Sequence, residues 1–313
     1  MQRAVRHLCY PPHRTSANRR VSTSRAGSLP TVSCIISTID KLPVDEFRRE
    51  AFVPQEPRLI TISTNPSVNA ASNCSIPAAK KWFINKAEGG QTLNVSYLKP
   101  YKDVILPYEL LSHTAGRSGD VEDDTFQRFH APLDLFLAAC RSSPPPRLYI
   151  AQAQLLDLPQ SLRDDLPMPP VILKAGKGDI YDANIWMGIP PTYTPLHKDP
   201  NPNLFVQLAS NKLVRLFNPD TGDAIFCHVQ EQICSQASAT FRGDEMMQGP
   251  ERIALEDAVW NCEEGTDGYE VVVRPGDALF IPKGWWHSIK SIGADVTASV
   301  RFTSVLRTCS GLT

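Results

Sequence analysis

Through the second half of the chain, apolar and polar residues alternate in short runs separated by turn residues. Residues 183–189, 204–208, 213–217, 270–273, 278–281, 286–289 and 296–302 are strand candidates, each with the two-residue period or short apolar run of an extended segment. Asn218-Pro219-Asp220 and Pro275-Gly276-Asp277 punctuate them as turns. The first half is mixed. Residues 43–52 and 77–88 start with proline and read as short helices, residues 58–62 as a strand, and residues 93–98 as a half-buried strand. An acidic loop at 118–125 is followed by a helix over 132–141. Ser143-Pro144-Pro145-Pro146 then separates that helix from a strand at 147–152. Residues 222–268 show no clear period and read as a long insertion, which in a compact domain is often functional.

Short strands at this spacing predict a mainly β fold with N-terminal and inserted helices, a double-stranded β-helix or jelly roll. There is no internal repeat and no boundary after residue 40, so residues 40–313 are expected to form one domain. Composition agrees. The 27 prolines among 313 residues exceed the usual ~5% and do not suit a helical bundle, while 42% hydrophobic residues supply a core. No apolar run nears the ~18 residues that a membrane-spanning helix needs, which argues against an integral membrane protein. The eight cysteines (Cys9, Cys34, Cys74, Cys140, Cys227, Cys234, Cys262 and Cys309) form no C-x-x-C pair. Free thiols are expected, not a zinc ribbon or a disulfide framework.

Charge divides the chain. Residues 1–39 hold six arginines (Arg3, Arg6, Arg14, Arg19, Arg20 and Arg25) and no acid, whereas 26 basic and 33 acidic residues follow from Asp40 onward. An acidic body argues against a scaffold held to nucleic acid by phosphate contacts, although a local basic channel, and so a tRNA substrate, stays open. The acid-free start is rich in Arg, Ser and Thr and lacks the apolar core of a secretory signal. It predicts a mitochondrial presequence over 1–39. The alternative is a disordered basic tail on a nuclear or cytoplasmic protein, and Pro11 and Pro12 interrupt any amphipathic helix there.

Two of the seven histidines sit in unusual company. In Thr194-Pro195-Leu196-His197-Lys198-Asp199 an extended chain turns His197 and Asp199 to one face. His287 follows a buried strand in Ile281-Pro282-Lys283-Gly284-Trp285-Trp286-His287. Two imidazoles and one carboxylate form the facial triad of non-haem iron(II) oxygenases. Such a spacing also arises by chance around hydrogen-bonded core or surface histidines. The surroundings decide between the two.

Four segments carry a family resemblance: RLYIAQ, TPLHKDPNPNLFVQLASNKLVRLFNPD, PGDALFIPKGWWHSI and TASVRF. On these, residues 147–302 resemble the JmjC, or cupin-like, Fe(II)- and 2-oxoglutarate-dependent oxygenases, most closely the factor-inhibiting-HIF asparaginyl hydroxylase type. The resemblance implies that His197, Asp199 and His287 are iron ligands. It implies that Lys212 pairs with the distal carboxylate of 2-oxoglutarate, and that Tyr149, Thr194 and Asn203 hydrogen-bond to its carboxylates. Arg301 stands where the related hydroxylase has an asparagine. Other branches use a late-strand arginine as the anchor, so Arg301 is a second cosubstrate candidate. Because a dianion needs one close cation at its distal end, Lys212 is expected to be the anchor and Arg301 to pair with the C1 carboxylate or an acid. Trp285 and Trp286 are expected to pack on opposite faces of their strand. Trp186, Met187 and Tyr193 are expected at the pocket mouth.

The resemblance implies a dioxygenase that consumes O2 and 2-oxoglutarate and releases succinate and CO2. Hydroxylation is expected over demethylation, on a protein side chain or small molecule, by a monomer. A cupin-like metal-binding or interaction protein without turnover is the competing class.

Overall fold

The computed structural model describes residues 29–65, 74–87, 90–114, 123–176, 180–235, 246–262 and 265–304. Most of the described strands assemble into two facing sheets. The larger sheet combines β1 (Cys34–Ile36), β2 (Arg58–Thr61), β5 (Ile105–Thr114), β6 (Asp123–Pro132), β7 (Arg147–Gln154) and β8 (Ile180–Gly188) with three later strands. These are β10 (Asn203–Ala209), β13 (Ala278–Ile281) and β15 (Thr297–Ser304). Its order is β1-β2-β13-β10-β15-β8-β7-β5-β6. The smaller sheet contains β9 (Tyr193–Lys198), β11 (Asn211–Phe217), β12 (Tyr269–Val273) and β14 (Trp286–Ile292), in the order β12-β11-β14-β9. Strands far apart in sequence lie side by side, β10 between β13 and β15 and β11 between β12 and β14, as the predicted jelly roll requires.

The large sheet has an apolar outer face, and its inner face mixes polar side chains with an apolar cluster shared with the small sheet. Along β15, Ala298, Val300 and Phe302 belong to the main apolar cluster, while Ser299 and Arg301 bond to side chains between the sheets. Along β10, Leu204, Val206 and Leu208 join the same cluster, and Asn203 turns the other way toward Asp199. The helices cover the outer faces. Phe47 in α1 (Val44–Phe47), Ala78 in α2 (Ala78–Lys81) and Leu98 in α3 (Val95–Leu98) pack into the main cluster. So do Phe136 in α4 (Leu133–Ala139), Leu162 in α5 (Gln160–Asp164) and Ile172 in α6 (Pro170–Ala175). One buried carboxylate ties this layer together: Asp165 accepts from Lys81 Nζ at 2.6 Å, Trp82 Nε1 at 2.8 Å and the Tyr97 hydroxyl at 2.6 Å.

Several sequence-based elements need correcting. The helix expected over 77–88 ends at Lys81, and Phe83–Asn85 (β3) pairs with Gln91–Leu93 (β4) as a separate hairpin. Residues 93–98 are not one strand, because Asn94 caps α3 through the Tyr97 amide. The β5–β6 hairpin was not anticipated, and part of the acidic loop at 118–125 lies outside the described residues. Asn218-Pro219, read as a turn, is the N-cap and first residue of α7 (Pro219–Gln232), with Asn218 Oδ1 accepting from the Thr221 amide at 2.8 Å. The aperiodic 222–268 region thus holds most of α7 and all of α8 (Gly249–Trp260). The fold also begins before residue 40: Val32 and Ile35 are buried, and β1 pairs with β2 in parallel. Among the described residues, Cys34, Cys74, Cys140, Cys227, Cys234 and Cys262 are free thiols, as expected.

α7 and α8 brace the outer face of the small sheet through Leu196, Phe217, Phe226, Val229, Leu255, Val259 and Trp286. Trp286 is fully buried, stacks on Phe226 at 5.3 Å and donates from Nε1 to Asp223 at 2.9 Å. Gly222 makes this possible, since a Cβ there would come within 2.1 Å of the indole. Truncating Trp286 leaves a cavity beside the helices, so Trp286→Ala should cost about 3–5 kcal/mol in denaturant unfolding.

Candidate metal centre

The register of the small sheet builds the centre. β9 and β14 run antiparallel with His197 directly opposite His287, and their rings lie 4.2 Å apart between centroids. Asp199 follows two residues on. One ligand atom from each of His197, Asp199 and His287 falls within 4.8 Å of the others. Both rings are oriented by their own backbone: His197 Nδ1 lies 2.9 Å from the Pro195 carbonyl and His287 Nδ1 3.2 Å from the Trp285 carbonyl. A carbonyl only accepts, so each Nδ1 carries a proton, which in a neutral imidazole leaves the Nε2 lone pair for a metal. Burial, reinforced by His197, drives the His287 pKa down to about 3, so it is a neutral ligand.

Burial works against ionisation of Asp199, but Arg301 and the two histidines outweigh it and hold its pKa below the ordinary value. Arg301 Nη1 donates to both carboxylate oxygens, at 3.0 and 2.9 Å, and Asn203 Nδ2 donates to Oδ2 at 2.6 Å. Arg301 therefore pairs with an acid, one of the two outcomes expected for it. Asn203 steadies the same carboxylate, and its own Oδ1 is buried with no hydrogen-bond partner among the described residues.

Lys212 is 2% exposed. Its ammonium donates to Ser299 Oγ at 3.0 Å and faces the rings of Phe205 at 5.3 Å and Tyr149 at 5.9 Å. Among the described residues no carboxylate pairs with it, and burial alone lowers its pKa to about 7. The aromatic wall depends on Gly188: a Cβ there would stand 2.2 Å from the Tyr149 ring. Tyr149, Thr194, His197, Asp199 and Arg301 line one cavity of about 670 Å³. Trp186 and Tyr193 also line it, as expected, but Met187 does not. Alternation along β8 turns Met187 into the main apolar cluster. Trp285 and Trp286 divide between the inner and outer clusters, as expected.

Residues 46–303 match the family of cupin-like domains. The chain belongs to that family. It is similar to "Lysine-specific demethylase JMJ30" of Arabidopsis thaliana, 26% identical over 278 residues, which make up 87% of this chain and 56% of that protein. It is similar also to "Jumonji C domain-containing protein 5" of Drosophila melanogaster, 26% identical over 269 residues, 83% of this chain and 58% of that one. With "Lysine-specific demethylase 8" of Danio rerio it shares 29% identity over 157 residues, 49% of this chain and 35% of the relative. The chain thus spans between about a third and three-fifths of the length of these curated relatives. They support the wider JmjC and cupin-like grouping and do not single out the asparaginyl hydroxylase branch.

The cupin-like domain holds site residues that the sequence did not mark. Ser299 could have been found from its two-residue spacing to Arg301 on the last strand. Glu109 and Arg128, which pair at 3.0 Å and line the cavity, left no such signal, because their hairpin was not anticipated. The donor set fits the proposed ion: two neutral imidazoles and a carboxylate suit Fe(II). The buried ammonium fits a dianion, since an ion left without a counter-charge in the interior is costly. Asp199 is the sole anionic ligand of the three, so Asp199→Ala should abolish stoichiometric Fe(II) retention. Elemental analysis of the reconstituted protein checks this.

Proposed function

We propose that this cupin-like protein is an Fe(II)- and 2-oxoglutarate-dependent oxygenase that attacks a substrate C–H bond. The observation that carries the reading is the buried Lys212 ammonium, which has no carboxylate partner among the described residues and faces Tyr149 in the wall of a cavity that also exposes His197 and Asp199. Fe(II) held by His197, Asp199 and His287, together with 2-oxoglutarate, supplies the oxidation by O2 that places oxygen on the substrate and releases succinate and CO2. The chain supplies geometry and charge. Backbone carbonyls fix the imidazole tautomers, Asn203 and Arg301 orient the carboxylate, and Lys212 receives the distal carboxylate of the cosubstrate. Tyr149 and Thr194 offer hydroxyls to the cosubstrate's carboxylates, and the two buried indoles help keep the surroundings dry.

Relatives named as lysine demethylases favour a nitrogen-bearing side chain of a protein as substrate. Oxidation of a carbon attached to nitrogen ends in loss of formaldehyde, whereas any other carbon retains the hydroxyl. Mass spectrometry of the product distinguishes them.

Turnover with succinate formed in step with 2-oxoglutarate loss is the expected result. Metal binding with no succinate would make this a non-catalytic cupin. Losing a charged hydrogen bond to a carboxylate costs about 2–5 kcal/mol, so Lys212→Ala should raise the 2-oxoglutarate requirement roughly 30-fold or more. A bound carboxylate favours the protonated amine and so raises its pKa from about 7. Affinity for 2-oxoglutarate should therefore be full below about pH 7 and fall about tenfold per unit above it, until the pKa of the complex is reached. Titration of uncoupled turnover across pH reads both effects.

In this reading, the acid-free segment that carries Arg3 to Arg25 is a matrix-targeting address. A fluorescent fusion to residues 1–40 should enter mitochondria. Retention in the cytosol or entry into the nucleus would refute the address.

A further inference from the structure

Asp199 is the one anionic side chain of the metal cluster, and it is already matched by a cation. A single Arg301 nitrogen spans both of its oxygens, at 3.0 and 2.9 Å. The guanidinium is held there from its other side by Trp186, with Cζ 4.7 Å from the ring. It sits on the central strand β15, between Phe205 of β10 and Asn184 of β8 in register, so it has little freedom to swing away. Its side chain is 18% exposed and that of Asp199 14%, a setting in which solvent screens the pair only partly. Arginine does not deprotonate in proteins, so this neutralisation holds at every working pH. Lys212 adds a second cation between the same sheets.

The charge balance has a consequence for ligation. With the imidazoles neutral, Asp199 and Arg301 cancel, and a divalent ion arrives at a site with no net negative charge. The guanidinium field reaches the ligands themselves. Asp199 Oδ2, 2.9 Å from the Arg301 nitrogen, is also 3.7 Å from His287 Nε2. Any cation held at that ring lies in the same field. A dianion entering the cavity reverses the balance for the metal and gains from both Arg301 and Lys212.

We propose that Arg301 is a charge-balancing and positioning residue that makes divalent-metal binding depend on the dianionic cosubstrate, weakening metal binding alone and coupling the two ligands. The inference rests on the oxygenase reading for the identity of the dianion. Because coupling is reciprocal, Arg301 should strengthen 2-oxoglutarate binding to the metal-loaded protein by the same factor.

The test is calorimetric titration of Mn(II) into metal-stripped full-length protein under anaerobic conditions. It is run alone, with saturating 2-oxoglutarate, and with saturating glutarate, a dianion of similar length without the chelating keto group. Arg301→Gln should bind Mn(II) alone about tenfold or more tightly than the wild type, and its coupling to either dianion should shrink by a similar factor. Arg301→Lys, which keeps the charge, should stay close to the wild type. Glutarate should tighten Mn(II) binding in the wild type, which isolates charge from chelation and does not depend on the variants folding. Intact Mn(II) binding that is no tighter in Arg301→Gln, or a wild type indifferent to glutarate, would overturn the charge role and leave the metal centre standing. No Mn(II) binding to the wild type with or without 2-oxoglutarate would overturn the metal-centre reading and this inference with it.

Discussion

Everything at the centre depends on the two-residue alternation of the strands being held in one register. Ala298, Val300 and Phe302 enter the apolar layer under the helices, while Ser299 and Arg301 face Lys212 and Asp199. A slip of one residue on β15 would drive a guanidinium into that layer and put Val300 or Phe302 against the metal ligands. The same rule holds on β14, where His287 lies inside and Trp286 outside. The apolar partner on the outer face therefore fixes the ligand on the inner face. Burial of Trp286 against α7 and burial of Val300 and Phe302 under the helices offset the cost of keeping polar groups between the sheets.

Those polar groups are not equivalent. Asp199 is compensated in full by Arg301 and Asn203, and its low pKa follows from that company. Lys212 has one hydroxyl and two ring faces, which do not repay the desolvation of an ammonium. A protein that keeps such a group holds a site whose stability is completed by an anion. Ligands carried on strands that are fixed on both faces also need little rearrangement to act, which is the usual requirement of a preorganised centre.

The relatives place this centre in a broad family, but they do not decide what reaches it. They match the cupin-like domain and extend well beyond the length that this chain shares with them. The walls of the cavity come from the β5–β6 hairpin and the segment before α8 as well as from the jelly roll. Access to the centre is therefore shaped by elements in which the alternation signal was weakest.

The sequence by itself determined most strands of the jelly roll and the triad of His197, Asp199 and His287. Alternation and turn residues are local signals, and H-x-D keeps its meaning wherever the strand is placed. It also marked Lys212, through spacing shared with a known family. It misread Asn218-Pro219 because a helix start and a turn use the same residues, and it missed α8 because few apolar positions there recur with a helical period. It placed the domain start too late because β1 is three residues long and becomes a strand only by pairing with β2. Only the tertiary structure decided that Arg301 faces Asp199, that Met187 leaves the pocket and that no carboxylate among the described residues stands beside Lys212. Each of those facts depends on which strand lies opposite, a long-range pairing that no local pattern encodes.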